Sequence, residues 1–165
     1  MNEKEQASHR ITKNYMWWSM GAGLIPIPFV DLAAVSGVQI KMISEISKVY
    51  GMEFHESRGK AVIASLIGYV VPNALTFGAM GSLLKAVPVV GQLVGGVSMA
   101  VFCGASTYAV GKVFVQHFES GGTFLTFDPA KVKEYFMREF EEGRKVAETL
   151  QQDKAAEEPA AANKA

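Results

Sequence analysis

Cysteine is nearly absent from the sequence: Cys103 stands alone among 165 residues. One thiol cannot close an internal disulfide, so no oxidising compartment is implied. Cys103 lies in a strongly apolar run and reads as a small buried hydrophobe. An excess of either charge is also lacking. Sixteen basic residues balance sixteen acidic ones, so there is no electrostatic footprint for a nucleic-acid partner. Histidine is scarce, at His9, His55 and His117. None is spaced with Cys103 or another histidine as a zinc ligand pair would be. No Ser–His–acid arrangement can be assembled, because the acids lie near the ends or in caps. "GASTYAVGKV" resembles a phosphate-binding loop but fails on spacing: six residues separate Gly104 from Gly111, and Val113 stands where Ser or Thr would meet magnesium. No convincing strand is found. These absences predict a protein with no catalytic residues, no cofactor and no metal, hence not an enzyme.

Apolar residues make up 49% of the chain, but they are unevenly placed. Charges crowd both ends and leave the middle third nearly bare. The opening "MNEKEQASHRITK" mixes acids and bases, and the first apolar stretch begins only at Tyr15. That pattern is not a cleaved signal peptide, and no lipidation motif is found at either end.

Helical periodicity predicts an all-α fold of five segments in a single domain over 1–152. The first covers about 4–22. The second covers about 31–50 and stops at Gly51. The third runs from about Ser57 to Leu84 and the fourth from about Pro88 to His117. The fifth begins at Asp128, a good N-cap, with Pro129 in its first turn, and continues to about Gln152. The tail, 153–165, is low in complexity and reads as disordered. In the fifth segment Val132, Phe136, Phe140, Gly143, Ala147 and Leu150 form one apolar stripe. Its other face, with Lys133, Arg138, Glu141, Glu142 and Lys145, is mixed in sign. A mixed face argues for docking on protein more than on anionic lipid.

Two uncharged runs decide the class. One lies between Lys60 and Lys85, the other between Lys85 and Lys112. Each exceeds the roughly 20 residues that span a bilayer core. The short turn near Lys85–Pro88 makes a helical hairpin, 57–117, that is expected to insert in the membrane. Arg58, Lys60 and Lys112 at its outer ends place both termini in the cytoplasm, under the inner membrane of a bacterium. Gly91 and Gly95 form a GxxxG pair, and Ala100 with Gly104 continues the spacing, as close helix packing and self-assembly require. The alternatives are a homo-oligomeric pore, with Asn73, Gln92 and Thr107 lining a path, and a soluble assembly that buries the hairpin between subunits.

An internal repeat links this hairpin to an amphipathic one at 15–56. At a constant offset Met20 meets Met80, Gly21 meets Gly81, Pro28 meets Pro88, Val30 meets Val90 and Gly51 meets Gly111. His55–Glu56 and His117–Glu119 then fall in matching places. Both units read as helix, proline turn, helix. Pro26, Pro28 and Asp31 build the first turn, Pro88 and Gly91 the second. Asp31 reads as a helix cap. Asp31, Val35, Gln39, Met42 and Ile46 share one stripe, and Gln39, facing a packed surface, needs a partner on a neighbouring helix or subunit. Tyr15, Trp17 and Trp18 suit a membrane interface, and equally a core or subunit contact.

"IPIPFVD", "GVQIKMISEISKVYG", "LKAVPVVGQLVGG" and "GASTYAVGKVFVQHFESGG" together resemble the bacterial domain-of-unknown-function family numbered 697. The resemblance covers about residues 15–125. It implies a membrane-associated helical module found beside or fused to Ras-like GTPase domains, and it supplies no catalytic residues. The expected function is therefore a non-enzymatic membrane protein that contacts lipid, self-assembles, and serves as scaffold or effector for a Ras-like GTPase in trans.

Overall fold

The computed structural model describes residues 2–22, 30–76 and 99–162, with side chains over 2–21, 35–70 and 99–153. Five helices account for the described residues: α1 Glu3–Ala22, α2 Val30–Tyr50, α3 Glu56–Thr76, α4 Met99–Glu119 and α5 Pro129–Ala162. The fold is all-α.

Local chemistry sets the helix ends. Asn2 caps α1, its Oδ1 accepting the Glu5 N–H at 2.8 Å, and Glu3 and Glu5 in the first turn suit the helix dipole. α2 closes on Gly51 at φ 70°. The Gly51 N–H reaches the Lys48 carbonyl and the Met52 N–H the Ser47 carbonyl, the paired bonds of a Schellman stop. α4 ends in the same way: Gly121 has φ 77°, with Gly121 bonded to Phe118 and Gly122 to His117. Asp128 caps α5 through the Ala130 N–H at 3.0 Å.

Three sequence expectations change here. The residue that stops α4 is Gly121, whereas Gly111 lies inside the helix. His55 precedes α3 while His117 lies in the last turn of α4, so the two histidines do not occupy equivalent places. The repeat thus holds for the helix–stop pattern but not at the offset that pairs Gly51 with Gly111. Lastly, α5 runs beyond Gln152 to Ala162 and takes in most of the segment expected to be disordered. Its alanines have the highest helix propensity of any residue, which favours extension.

α4 is the centre of the bundle. Ala100, Val101, Cys103, Gly104, Ala105, Ser106, Thr107, Ala109, Val110, Gly111, Val113, Phe114, Val115 and Phe118 are all buried. α1 and α5 pack along it most extensively, α2 lies on α1 and α4, and α3 bridges α2 and α5. The C-terminal half of the second uncharged run is thus wrapped by protein. Among the described residues no helix is long and apolar enough to cross a membrane. Much of both uncharged runs, over 77–98, lies outside the described residues. The predicted turn near Lys85 lies outside the described residues.

Close approach to α4 requires small residues. A Cβ on Gly111 would sit 2.5 Å from Thr12 Oγ1 of α1, and one on Gly143 would sit 3.1 Å from the Ala105 Cα. Such contacts exist only where a side chain is missing. The predicted stripe of α5 is confirmed, with Phe136 and Ala147 fully buried and Phe140 nearly so. Its outer face carries Arg144 bonded to Glu141 and Glu148, and Lys145 to Glu142.

Candidate functional site

The helices run so that their ends sort into two poles. Tyr50 at the end of α2 donates to Glu119 Oε1 at the end of α4, at 2.7 Å. Asn2 Nδ2 before α1 donates to both Glu119 oxygens, at 3.0 and 3.1 Å. The start of α1 and the ends of α2 and α4 therefore meet at one pole. The opposite pole collects the end of α1, the start of α2, the end of α3 and the start of α4. Residues 23–29 and 77–98 leave from there.

Charge follows the same axis. α1 has none from Asn14 to Ala22, α3 none from Ala61 to Thr76, and α4 none from Met99 to Gly111. Only Asp31 and Lys41 bring charge to this half of α2. Pro26, Pro28, Pro88, Gly91 and Gly95 lie outside the described residues. Asp31 falls in the first turn of α2, and its side chain lies outside those described.

The structure separates the three aromatic candidates. Trp17 and Trp18 are 45% and 73% exposed, on the part of α1 nearest the uncharged pole. Tyr15 instead turns inward and donates to Glu45 Oε1 at 2.6 Å. Burial, then the bond to Glu45, pushes the Tyr15 phenol up to about 12. It stays protonated and ties α1 to α2.

Gln39, Ala100 and Gly104 all act within the chain. Gln39 Nε2 donates to Thr107 Oγ1 at 3.1 Å, and the Thr107 and Ser19 hydroxyls meet at 2.7 Å. All three side chains are fully buried, so this is a polar knot joining α2, α4 and α1. Gln39 Oε1 has no partner among the described residues. Thr107, considered above as pore-lining, is thus part of the core. Gly104 admits Met20 of α1, whose Cγ would meet a Cβ there at 2.6 Å, with the Ala147 Cβ of α5 at 3.4 Å. Helical spacing of small residues identifies close contact but not whether the partner helix belongs to the same chain.

The knot carries a stability prediction. Thr107→Val would leave the Gln39 amide and the Ser19 hydroxyl buried and unpaired, costing about 1–3 kcal/mol. Adding Gln39→Leu should recover part of that loss in denaturant unfolding. A further loss in the double variant would contradict the arrangement.

At the charged pole a shallow cleft is lined by Glu5, His9, Lys112, Gln116, Glu119 and Tyr135. Burial, and next Lys112, lower the His9 imidazole from its ordinary value and so disfavour its charged form. Bonds from Tyr50 and Asn2 hold the Glu119 carboxyl below its usual range. Because the folded value is depressed, its stabilising share is present above the ordinary carboxyl range and fades as pH falls through the folded value. A melting series from neutral to acid pH should show this fall, reduced in Tyr50→Phe. His117 bonds the Thr123 carbonyl at 2.9 Å and His55 packs edge-on against Phe124. Both rings are thus engaged by the connection that follows α4. No group of three potential metal ligands occurs among the described residues.

Comparison with known proteins adds a family. The model of a domain of unknown function, DUF697, matches residues 1–145. A protein named magnetosome membrane protein 22, from Magnetospirillum gryphiswaldense, is 37% identical over 153 residues, which cover 93% of this chain and 78% of that protein. No solved structure matches. The chain belongs to the DUF697 family, as the residues quoted above imply.

Proposed function

We propose that the protein is a non-enzymatic, membrane-associated helical module whose uncharged pole meets the lipid. The observation that carries this reading is the segregation of charge along the bundle axis. Three helices lose all charge toward the pole where residues 23–29 and 77–98 begin, α5 alone carrying a run of charges, from Asp153, past that level, and these two segments contain a single charge, Lys85. Apolar sequence of that kind is more favourable in apolar surroundings than in water. The name of the Magnetospirillum relative, a membrane protein, agrees with it. The positively charged ends of α3 and α4, at the opposite pole, favour a cytoplasmic bundle at the inner membrane with both termini on that side.

Self-assembly belongs to the same reading. α4 spends its small residues on α1 and α5, but α3 exposes Ala61, Ala64, Ser65 and Gly68 at helical spacing. No other atom comes within 4 Å of a Cβ placed on Gly68, so a second helix can approach there. A scaffold or effector role toward a Ras-like GTPase in trans rests on the family resemblance.

Carbonate extraction of membranes, followed by sizing in detergent, tests this function. The expected result is retention in the membrane fraction and an oligomer that Gly68→Leu disrupts. A compact monomer in the soluble fraction without detergent would overturn it.

A further inference from the structure

The face formed by α1 and α2 differs from the rest of the surface in how its charges are met. Arg10, Lys13, Lys41 and Lys48 are all exposed. None has an ion pair among the described residues. On α3 and α5 most bases are paired: Lys60 with Glu56, Lys131 with Asp128, Arg138 with Glu139, Arg144 with Glu141 and Glu148, and Lys145 with Glu142; Lys133 lies over the Tyr69 ring, and Arg58 alone on these two helices has neither kind of partner among the described side chains. α5 meets most of its bases with its own acids, whereas these four on α1 and α2 have no acid paired with them.

The two exposed tryptophans lie on this same face. Arg10, Lys13 and Trp17 are spaced three and four residues apart and so share one side of α1. The Tyr15–Glu45 bond, with Ser19 and Gln39 both bonded to Thr107, sets α2 antiparallel beside α1. Lys41 therefore falls toward the Trp18 end of the face and Lys48 toward the Lys13 end. Glu45, which lies between Lys41 and Lys48 in α2, is half-buried and occupied by Tyr15.

The course of α5 excludes a squarely end-on approach to lipid. Gly143 lies against Ala105 and Ala147 against Gly104, an antiparallel register that carries α5 past the level of Met99. Asp153 and the charged sequence after it are in that continuing helix. An end-on bundle would drive those charges toward the bilayer. Tilting the bundle onto its α1/α2 side avoids this.

We infer that the α1/α2 face binds the surface of an anionic bilayer, with Trp17 and Trp18 in the headgroup layer and Arg10, Lys13 and Lys41 on lipid phosphates. Indole rings settle at headgroup level, and bases beside them gain from a negative leaflet. This rests on the membrane reading above and narrows it to one lipid chemistry and one side of the bundle.

Trp17 and Trp18 are the only tryptophans in the chain, so intrinsic fluorescence reports on this face alone. The full chain is titrated with phosphatidylcholine vesicles, with and without phosphatidylglycerol, at low and high salt. Brominated acyl chains serve as quencher. The expected result is a blue shift and quenching that need phosphatidylglycerol and weaken with salt. The variant Arg10→Gln/Lys13→Gln/Lys41→Gln should bind roughly tenfold or more weakly. All three sites are exposed, and a circular dichroism melt checks that the fold is kept. Equal binding to both vesicles, unchanged in the triple variant, would overturn the inference while leaving membrane association standing. Binding that needs phosphatidylglycerol without any tryptophan response would overturn it too, by moving the contact to another face. Binding to neither vesicle, with the chain absent from membrane fractions, would sink both readings.

Discussion

Phe114→Ala is expected to lower the unfolding free energy by about 3–5 kcal/mol, the range for emptying a large aromatic site in a core. Phe114 is fully buried. Its ring stacks on Phe127 at 4.8 Å and touches Phe124 at 5.4 Å and Phe118 at 5.7 Å. Phe124 and Phe127 belong to the connection between α4 and α5, and Phe54, ahead of α3, packs on Phe124 at 5.6 Å. One side chain on the central helix thus pins two connections at the charged pole. Removing it opens a cavity that four rings cannot fill without moving backbone. Denaturant unfolding measures the loss, and a change below about 1 kcal/mol, the ordinary result for a point mutation, would show that the cluster is not a packed unit. None of these rings lies on the α1/α2 face proposed to meet lipid, so at temperatures where the variant stays folded the vesicle binding expected of that face should be unchanged.

Gly111→Val should cost about 1–3 kcal/mol through overpacking. Its new Cβ would meet Thr12 Cγ2 and Oγ1 at 2.5 Å and Thr12 Cβ at 3.0 Å. Thr12 cannot move aside easily. It is β-branched, buried, and its hydroxyl is bonded back to the Ser8 carbonyl at 2.9 Å. The two helices must separate instead, which loosens one of the two most extensive contacts in the bundle. Gly104→Ala supplies the contrast. There the neighbour is Met20, whose unbranched side chain can move its Cγ aside only by turning about its first side-chain bond, while replacing a helical glycine by alanine gains up to about 1 kcal/mol of propensity to offset that. Near-neutral behaviour at Gly104 beside a clear loss at Gly111 would confirm that the neighbour's stiffness sets the result. Equal losses at both would contradict it.

The difference between these glycines was not legible in the sequence. Spacing marks Ala100 and Gly104 as places of close approach, but a helix wheel cannot say which helix approaches. Gly111, paired with Gly51 in the repeat, proved to be a contact inside α4, while Gly121 took the stopping role. The cause is local hydrogen bonding: a Schellman stop needs a left-handed residue followed by a free N–H. The paired glycines Gly121–Gly122 meet that need directly after Ser120.

Some features were settled by short-range chemistry and could be read directly. The Asp128–Pro129 start of α5, the Gly51 end of α2, the apolar stripe from Val132 to Leu150 and the burial of Cys103 each depend on neighbours within a few turns. Family membership was legible from the proline turn and its following Asp, Gln and Tyr-Gly residues. Which apolar residues face protein depends on contacts between distant parts of the chain. Sequence alone treats Met99 to Gly111 as half of an apolar hairpin. Tertiary packing places it at the centre of the bundle, because α1 and α5 offer complementary surfaces on both sides. It likewise turns Tyr15 inward to Glu45 while leaving Trp17 and Trp18 outside, and it sets unpaired bases on α1 and α2 beside those rings. Adjacent aromatics look alike in one dimension, and only the position of the neighbouring helix decides which of them meets protein and which is free to meet lipid.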